Sequence, residues 1–358
     1  MIAFVRVWIL FFSVSVIQAV EIVFVEPKAV TATAIAKWKE EKFSGVAVVL
    51  DERTPEAAYL EAAKAVSDAG LEQYYWIEVA RNPEMASRHP TWMAALGSHG
   101  DWLKNFPGAA EPGVGEVAKA FPWVPIGYRE AFEAHLARIE QLLKRIPQGW
   151  KGLLLNDLQG GPSSCGCGNL QCRWGLDYFV PATATKLEGD DVAAKFLAEV
   201  QKRAGDKTVI PVWLTECEEV DLPPSKNQGR PGTGFCGEVA CTHSACEEVF
   251  AAQWTALTRG RESPVALFAV HTALRRTDPK FGGGPGWVTN AIHYVNKTLP
   301  ARGGKAPEAS RIWVVIDGAQ AAEEAAARDL AAKSGVGGII SARARIDQSF
   351  EPRILRKK

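Results

Sequence analysis

The residues best suited to chemistry are polar side chains that come directly after short apolar runs. Asn156 and Asp157 follow the run 152–155, and a loop rich in glycine and cysteine comes next. In parallel α/β proteins, the C-terminal end of a strand and the loop after it carry the chemistry. Similar polar residues follow other apolar runs, namely Asp51, Glu52, Glu78, Glu216, Glu218, His271 and Asp317. Its position makes Asp157 the strongest single candidate for a catalytic acid.

A set of strand-end carboxylates with one histidine suits acid/base chemistry on a neutral substrate. Glycoside hydrolysis uses two carboxyl groups, about 5–5.5 Å apart for retention or about 6.5–9.5 Å apart for inversion. The chain also has 12 tryptophans, and flat indoles pack well on sugar rings. We predict Asp157 as the general acid/base, with Glu216, Glu218 or Asp317 as the partner carboxylate. Predicted substrate contacts are Asn156, His271, Glu78, Trp76, Trp92, Trp213 and Trp287.

Each of these residues also has a structural explanation. Carboxylates at strand ends commonly cap helices or form loop salt bridges, and Asp317 is well placed to cap the next helix. Trp76 and Trp213 lie inside apolar strands, where core packing explains them equally well. His271 fits a buried, hydrogen-bonded histidine.

The cysteines are the most specific local signal, since all seven lie between residues 165 and 246. Four thiolates on two neighbouring loops, from Cys165, Cys167, Cys172 and Cys217, predict a closed structural zinc site. Disulfides are the alternative, because an exported chain permits them. The remaining cysteines, Cys236, Cys241 and Cys246, are candidates for ligands or disulfides. No other cofactor is predicted.

The elements that position these residues alternate along the chain. Eight short apolar runs, beginning at residues 21, 45, 73, 152, 209, 265, 312 and 338, predict strands. Segments with helical spacing separate them, among them 192–204 and 321–333. This alternation predicts βαβ units and a (β/α)8 barrel, with Cys-rich loops after the fourth and fifth strands and no long final helix. An open doubly wound sheet is the alternative, but the loop 26–30 lacks its glycine-rich phosphate fingerprint.

The domain organisation follows from the two ends of the chain. Residues 1–19 resemble a secretory signal, with Arg6 before an apolar run, so we predict an exported, soluble protein. Residues 20–358 are predicted to form a single barrel domain with a long insertion at about 81–127. The basic residues at the C-terminus, from Arg353 onward, are predicted to form a solvated end.

The charge balance narrows the choice of partner. Lys+Arg and Asp+Glu both number 41, which argues against nucleic acid or an anionic membrane as the partner. Carbohydrate is the predicted partner, and the sequence sets no oligomeric state.

The Asn156-Asp157 pair after the fourth strand and the acid after the seventh resemble the clan A glycoside hydrolases. Those enzymes carry an Asn-Glu pair on strand four, whose Glu is the acid/base, and a nucleophilic Glu on strand seven. The resemblance implies these roles for Asp157 and Asp317, each one methylene shorter than the family's residue. Four cysteines near the mouth resemble the zinc site of family 42 β-galactosidases, with different spacing. The strand 73–79 and the sequence HPTW at 89–92 resemble exported bacterial glycosidase-like barrels of uncharacterised function.

Two other function classes stay open. A non-catalytic carbohydrate- or surface-binding barrel would keep the aromatic residues but lack a correctly spaced acid pair. A metal- or redox-centred protein would be built on the cysteine loops. The placement of carboxylates around Asp157 separates the first of these from an enzyme.

Overall fold

The computed structural model describes residues 19–96, 113–158, 187, 191–214, 255–258, 260–268, 288, 292, 295–296, 300, 307–317, 321–346 and 351–356. The strands are β1 Val20–Val25, β2 Gly45–Val49, β3 Glu72–Glu78, β4 Ala94–Leu96, β5 Glu116–Phe121, β6 Gly152–Asn156, β7 Thr208–Leu214, β8 Val265–Phe268, β9 Ile312–Asp317, β10 Gly338–Ala342 and β11 Glu351–Arg356. The helices are α1 Ala32–Glu40, α2 Glu56–Asp68, α3 Pro83–Arg88, α4 Arg129–Leu143, α5 Val192–Ala204 and α6 Ala321–Lys333.

Eight of the strands form a closed parallel barrel, in the order β1, β10, β9, β8, β7, β6, β3 and β2 around the ring. Each of the eight predicted apolar runs is one of these strands. The predicted helices 192–204 and 321–333 coincide with α5 and α6. The (β/α)8 barrel is therefore confirmed, and the open-sheet alternative is wrong. The predicted Cys-rich loops and the signal segment lie outside the described residues.

Strand residues alternate between the barrel interior and the layer of helices outside it. On β3, Tyr74 and Trp76 pack in the interior cluster, whereas Tyr75 and Ile77 pack in the outer cluster with the helices. Both sets are buried, which is why these strands are apolar at nearly every position. The alternation places Glu78, at the end of β3, on the same side as Trp76.

Two aromatic rings fill the end of the barrel where the strands begin. Tyr74 and Trp313 meet edge to face, with ring centroids 6.1 Å apart. Glycines on neighbouring strands make room for them, because a Cβ at Gly152 would lie 2.9 Å from the Tyr74 ring. A Cβ at Gly338 would lie 2.3 Å from the Trp313 indole. Aromatic side chains therefore occupy the barrel interior at this end.

Ionic and cation–π contacts join the first and last βα units. Arg328 donates to the Glu21 carboxylate at 2.7 Å and to the Glu41 carbonyl at 2.7 Å. Arg343 donates to the Glu41 carboxylate at 2.6 Å. Both guanidinium groups lie over the Phe43 ring, at 4.1 and 5.1 Å from its centroid. These half-buried contacts fix the seam at which β1 meets β10.

A small antiparallel sheet, in the order β11, β5, β4, accompanies the barrel. Ala94, Ala118 and Ala120 on it pack with interior barrel residues and with Ala344 and Ile346, which follow β10. The small sheet therefore lies against the end of the barrel where the strands finish.

Part of the predicted insertion 81–127 is thus regular structure. Arg353 and Arg356 are exposed, as predicted for a solvated basic end, but both belong to β11, which pairs along its length with β5. Arg353 also stacks on the Phe121 ring. Among the described residues, no helix follows β10, and none is long and apolar enough to cross a membrane.

Candidate active site

The candidate site lies where β3 and β6 end side by side. The two strands are parallel neighbours, and their register pairs Glu78 with Asn156. Val79 continues the pairing by donating its backbone N–H to the Asn156 carbonyl at 3.0 Å. The C-terminal ends of barrel strands are where active sites of this fold lie. Two residues predicted from separate strands are therefore brought into contact at the expected edge.

Glu78 is held by neutral donors on both carboxylate oxygens. The indole Nε1 of Trp76 donates to Oε1 at 2.7 Å, and the amide Nδ2 of Asn156 donates to Oε2 at 2.8 Å. Within the described part of the chain, Glu78 forms no salt bridge, whereas Glu52 nearby pairs with an arginine. The carboxylate is half-buried and fixed in orientation, and each oxygen has a lone pair left to accept a further hydrogen bond.

Trp76 acts from inside the barrel. It is fully buried and stacks on Phe24, with ring centroids 4.4 Å apart and an interplanar angle of 24°. With both ring faces enclosed, the indole offers no surface to a sugar. Trp76 therefore presents no ring face to a substrate, and its contribution to the site is the bond to Glu78.

Asn156 is fully buried, and only one end of its carboxamide has a partner among the described residues. Nδ2 donates to Glu78, whereas the buried Oδ1 has no hydrogen-bond partner there. A buried polar atom without a partner costs about 1–3 kcal/mol, so such atoms are rare in proteins and call for an explanation. The explanation that fits its position beside Glu78 is a bound water or a substrate hydroxyl.

Asp157, the residue after β6, has unusual backbone geometry. Its φ is +62°, in the left-handed region that few residues other than glycine adopt, and its exposed fraction is 1%. Aspartate is among the side chains that tolerate this region best. Backbone strain of this kind costs about 1–3 kcal/mol and occurs most often at functional sites. Since adjacent strands are about 4.8 Å apart and consecutive Cα atoms 3.8 Å apart, the Cα atoms of Glu78 and Asp157 are at most about 9 Å apart.

A second arginine–carboxylate layer supports the end of β3 from α4. Arg138 donates to the Glu78 backbone carbonyl at 2.8 Å and forms a bidentate pair with Glu52. Asn82, which caps α3 by accepting from the Met85 N–H, also donates to Glu52 at 3.4 Å. Burial raises the pKa of Glu52, but the hydrogen bonds and charge of Arg138 outweigh it and leave the pKa below its ordinary value.

His135, one turn before Arg138 on α4, is fully buried and structural. Its Nε2 donates to the Val124 carbonyl at 2.8 Å. Burial, together with the charge of Arg138, lowers the pKa of His135 to about 3. The ring is therefore neutral at physiological pH and takes no part in proton transfer there.

Several other strand-end residues have structural roles. Asp51 accepts from the backbone N–H groups of Arg53 and Thr54, which fixes the turn before α2. Trp213 is fully buried on the outer side of β7, among the residues that pack against helices. The prediction that Trp213 contacts a sugar is corrected on that ground. Trp92 is half-buried and stacks in parallel on His89, at 3.8 Å between ring centroids.

Of the remaining predicted residues, the structure describes only Asp317. Asp317 is the last residue of β9, and its backbone is in register with that of Ala342 on β10. Its strand lies four places around the ring from β3 in either direction. Other predicted residues lie outside the described part of the chain, namely Glu216, Glu218, His271, Trp287, Cys165, Cys167, Cys172 and Cys217. Within the described part, no three His, Cys, Asp or Glu residues are grouped as a metal site.

Sequence reasoning missed Arg138 and Asn82. Arg138 belongs to the long amphipathic helix α4, where charged residues are expected, and only its contact with Glu52, 86 positions earlier, distinguishes it. Asn82 stands directly before Pro83, the first residue of α3, and this Asn-Pro pair is a recognisable helix start.

Comparisons with known proteins give no family. No protein-family model matches the chain, and no curated protein matches it in sequence. Solved structures with an overall likeness include an alpha-amylase from Lactobacillus plantarum, at 10% identity and TM-score 0.43, over 91% of this chain and 71% of that one. The C-terminal domain of ChiA from Legionella pneumophila gives 10% and 0.40, over 85% and 78%. An HpcH/HpaI aldolase from Desulfitobacterium hafniense gives 11% and 0.36, over 91% and 86%. Similarity this low carries no conclusion about activity or substrate.

Proposed function

We propose that the protein is a glycoside-hydrolase-like enzyme that acts on a carbohydrate by two-carboxylate acid/base catalysis. The supporting observation is the pair of neighbouring strand ends at which Glu78 and Asn156 are in contact, with Asp157 as the next residue of the chain. A fixed carboxylate, a buried amide with a spare acceptor and a second acid one residue away are the groups that hydrolysis of a neutral acetal requires.

In this proposal, Asp157 gives a proton to the glycosidic oxygen, and a second carboxylate acts on the opposite face of the sugar. Asn156 contacts the substrate or the attacking water. Asp317, Glu216 and Glu218 stay in the proposal as candidates for the second carboxylate, with His271, Trp92 and Trp287 as sugar contacts. Substitution of Trp213 is expected to affect stability alone.

A panel of 4-nitrophenyl glycosides and soluble oligosaccharides tests the proposal. Wild-type protein and Asp157→Asn are compared, because asparagine also tolerates a positive φ and removes only the acid. We expect wild-type turnover on at least one substrate and a loss of about 10²–10⁴-fold in the variant. Equal turnover of the two proteins would remove Asp157 from the mechanism.

The burial of Asp157 favours a second candidate, the carbohydrate-binding barrel without catalysis. An acid with 1% of its surface exposed has little contact with an incoming ligand. In that case, calorimetry would detect binding of panel oligosaccharides, and no substrate would be hydrolysed.

Zinc binding and export are proposals separate from catalysis. We propose that Cys165, Cys167, Cys172 and Cys217 bind one structural zinc ion and that the protein is exported. Metal analysis of purified protein, with and without reductant, distinguishes zinc from disulfides. One zinc per chain supports the site, whereas absence of metal, with thiols that become titratable only after reduction, would indicate disulfides and contradict it.

A further inference from the structure

We propose that Glu78 is the general base of the reaction and that the attacking water is held between Glu78 and Oδ1 of Asn156. This inference rests on the proposed function and identifies its second carboxylate. It replaces the candidates on other strands with a residue that the sequence indicated only as a substrate contact.

The hydrogen bonds of Glu78 favour a proton-accepting role. Both of its oxygens accept from N–H groups, on Trp76 and Asn156, and neither of these groups can accept a proton in return. Protonation of either oxygen would weaken the hydrogen bond that this oxygen accepts, whereas the carboxylate form keeps both bonds at full strength. The described surroundings therefore suit a carboxylate that takes a proton, and the enclosed Trp76 indole keeps it aimed at the mouth.

The Oδ1 atom of Asn156 provides a second acceptor, which is needed to orient the water that the base activates. A nucleophilic water has two protons, and two acceptors orient it so that its lone pair faces the sugar carbon. Glu78 is one acceptor, and the buried Oδ1 of Asn156, without a partner among the described residues, is the other. Because Nδ2 of the same amide is bound to Glu78, the two acceptors are fixed relative to one another.

The placement of Asp157 completes the arrangement. Residue 157 follows the register partner of Glu78, so the two acids stand on adjacent strands at the same end of the barrel. Their Cα atoms are at most about 9 Å apart, so the backbone places both acids within reach of one bound substrate. Asp317, in contrast, is three strands from β6 along the ring.

The reaction balances with one water. Asp157 gives its proton to the glycosidic oxygen as the bond from C1 to that oxygen breaks. The water oxygen bonds to C1 while Glu78 takes one of its protons. One water is consumed, two hydroxyl ends are formed, and the proton on Glu78 returns to Asp157 through solvent.

Kinetics of Glu78→Gln on the glycoside that wild-type protein hydrolyses fastest test this assignment. We expect kcat to fall about 10²–10⁴-fold with a much smaller change in KM, and the acidic limb of the pH profile of kcat to disappear. The matched control is Glu72→Gln, on the same strand at the opposite end of the barrel, where the carboxylate accepts from the Tyr74 hydroxyl at 2.8 Å. The control is expected to leave kcat and its pH profile unchanged.

Chemical rescue separates catalysis from a folding defect. Azide is an anionic nucleophile that attacks the sugar carbon in place of water and needs no base. Sodium azide is therefore expected to restore turnover of Glu78→Ala and to form a glycosyl azide. An active wild-type protein whose Glu78→Gln variant keeps its kcat and pH profile would overturn this inference and leave the proposed function intact. Loss of activity in Glu78→Ala without azide rescue would also overturn it. A wild-type protein inactive on the whole panel would overturn both.

Discussion

Lys119 is the most informative residue for testing the packing of the small sheet. It is 2% exposed, on the central strand β5, between two alanines that face the barrel cluster. Its ammonium donates to the Met93 carbonyl at 2.9 Å, and its register partner on β11 is Arg353, another cation. Burial lowers the pKa of Lys119 from 10.5 to about 8. The charged form is therefore destabilised in the folded protein.

The pKa shift gives the size of the effect. A fall from 10.5 to about 8 corresponds to about 3 kcal/mol of lost stability below pH 8, where lysine is charged in both states. Stability then rises with pH between 8 and 10.5, because only the unfolded chain is still protonated there. Lys119→Met removes this penalty but leaves the Met93 carbonyl without its donor, at a cost of about 1–2 kcal/mol. The variant is thus expected to be more stable by about 1–2 kcal/mol at pH 7 and less stable by about 1–2 kcal/mol above pH 10.5.

Urea unfolding at pH 7 and above pH 10.5 measures this difference. Lys64→Met is the control, since the side chain of Lys64 is 75% exposed, and its substitution should change stability little at either pH. A difference between wild type and Lys119→Met that is the same at both pH values would refute the burial of the ammonium group. A variant less stable at pH 7 would show that the hydrogen bond outweighs the burial penalty.

Two further predictions concern the barrel. Gly338→Ala places a Cβ 2.3 Å from the Trp313 indole and should reduce the free energy of unfolding by about 1–3 kcal/mol. The control Gly113→Ala leaves 3.4 Å to the nearest atom and should not change this free energy. Equal stabilities of the two variants would contradict the close packing at this end of the barrel. Arg138→Leu should destabilise the protein at pH 7, and the loss should shrink as the pH falls through the lowered pKa of Glu52, because a protonated Glu52 no longer gains from the arginine. A loss independent of pH would assign the effect to the Glu78 carbonyl bond alone.

The barrel was predictable because its signals are local. Parallel strands buried on both faces appear as continuous apolar runs, as in residues 209–214, and each is followed by helical spacing. The small sheet was not predictable, since β5 alternates alanine with charged or larger residues and pairs with β11 more than 200 positions away. Its basic residues Arg353 and Arg356 are exposed, as the sequence predicted, but the stacking of Arg353 on Phe121 could not be predicted, because it depends on that pairing.

The site was predictable in its residues but not in its contacts. Glu78, Asn156 and Asp157 stand at the ends of apolar runs, which the sequence shows directly. The bond between Glu78 and Asn156 depends on the register of two strands whose ends are 78 positions apart. For the same reason, the sequence could not separate Trp76 from Trp213. When both faces of a strand are apolar, nothing local tells which side faces the barrel interior.

The stereochemistry of hydrolysis tests the central claim most directly. The anomeric configuration of the first sugar released from the best panel substrate can be followed by proton NMR before mutarotation. A general base at Glu78 that activates water predicts inversion of configuration. Retention would require a covalent intermediate on a carboxylate and would contradict the assignment of Glu78 and Asn156 to the attacking water.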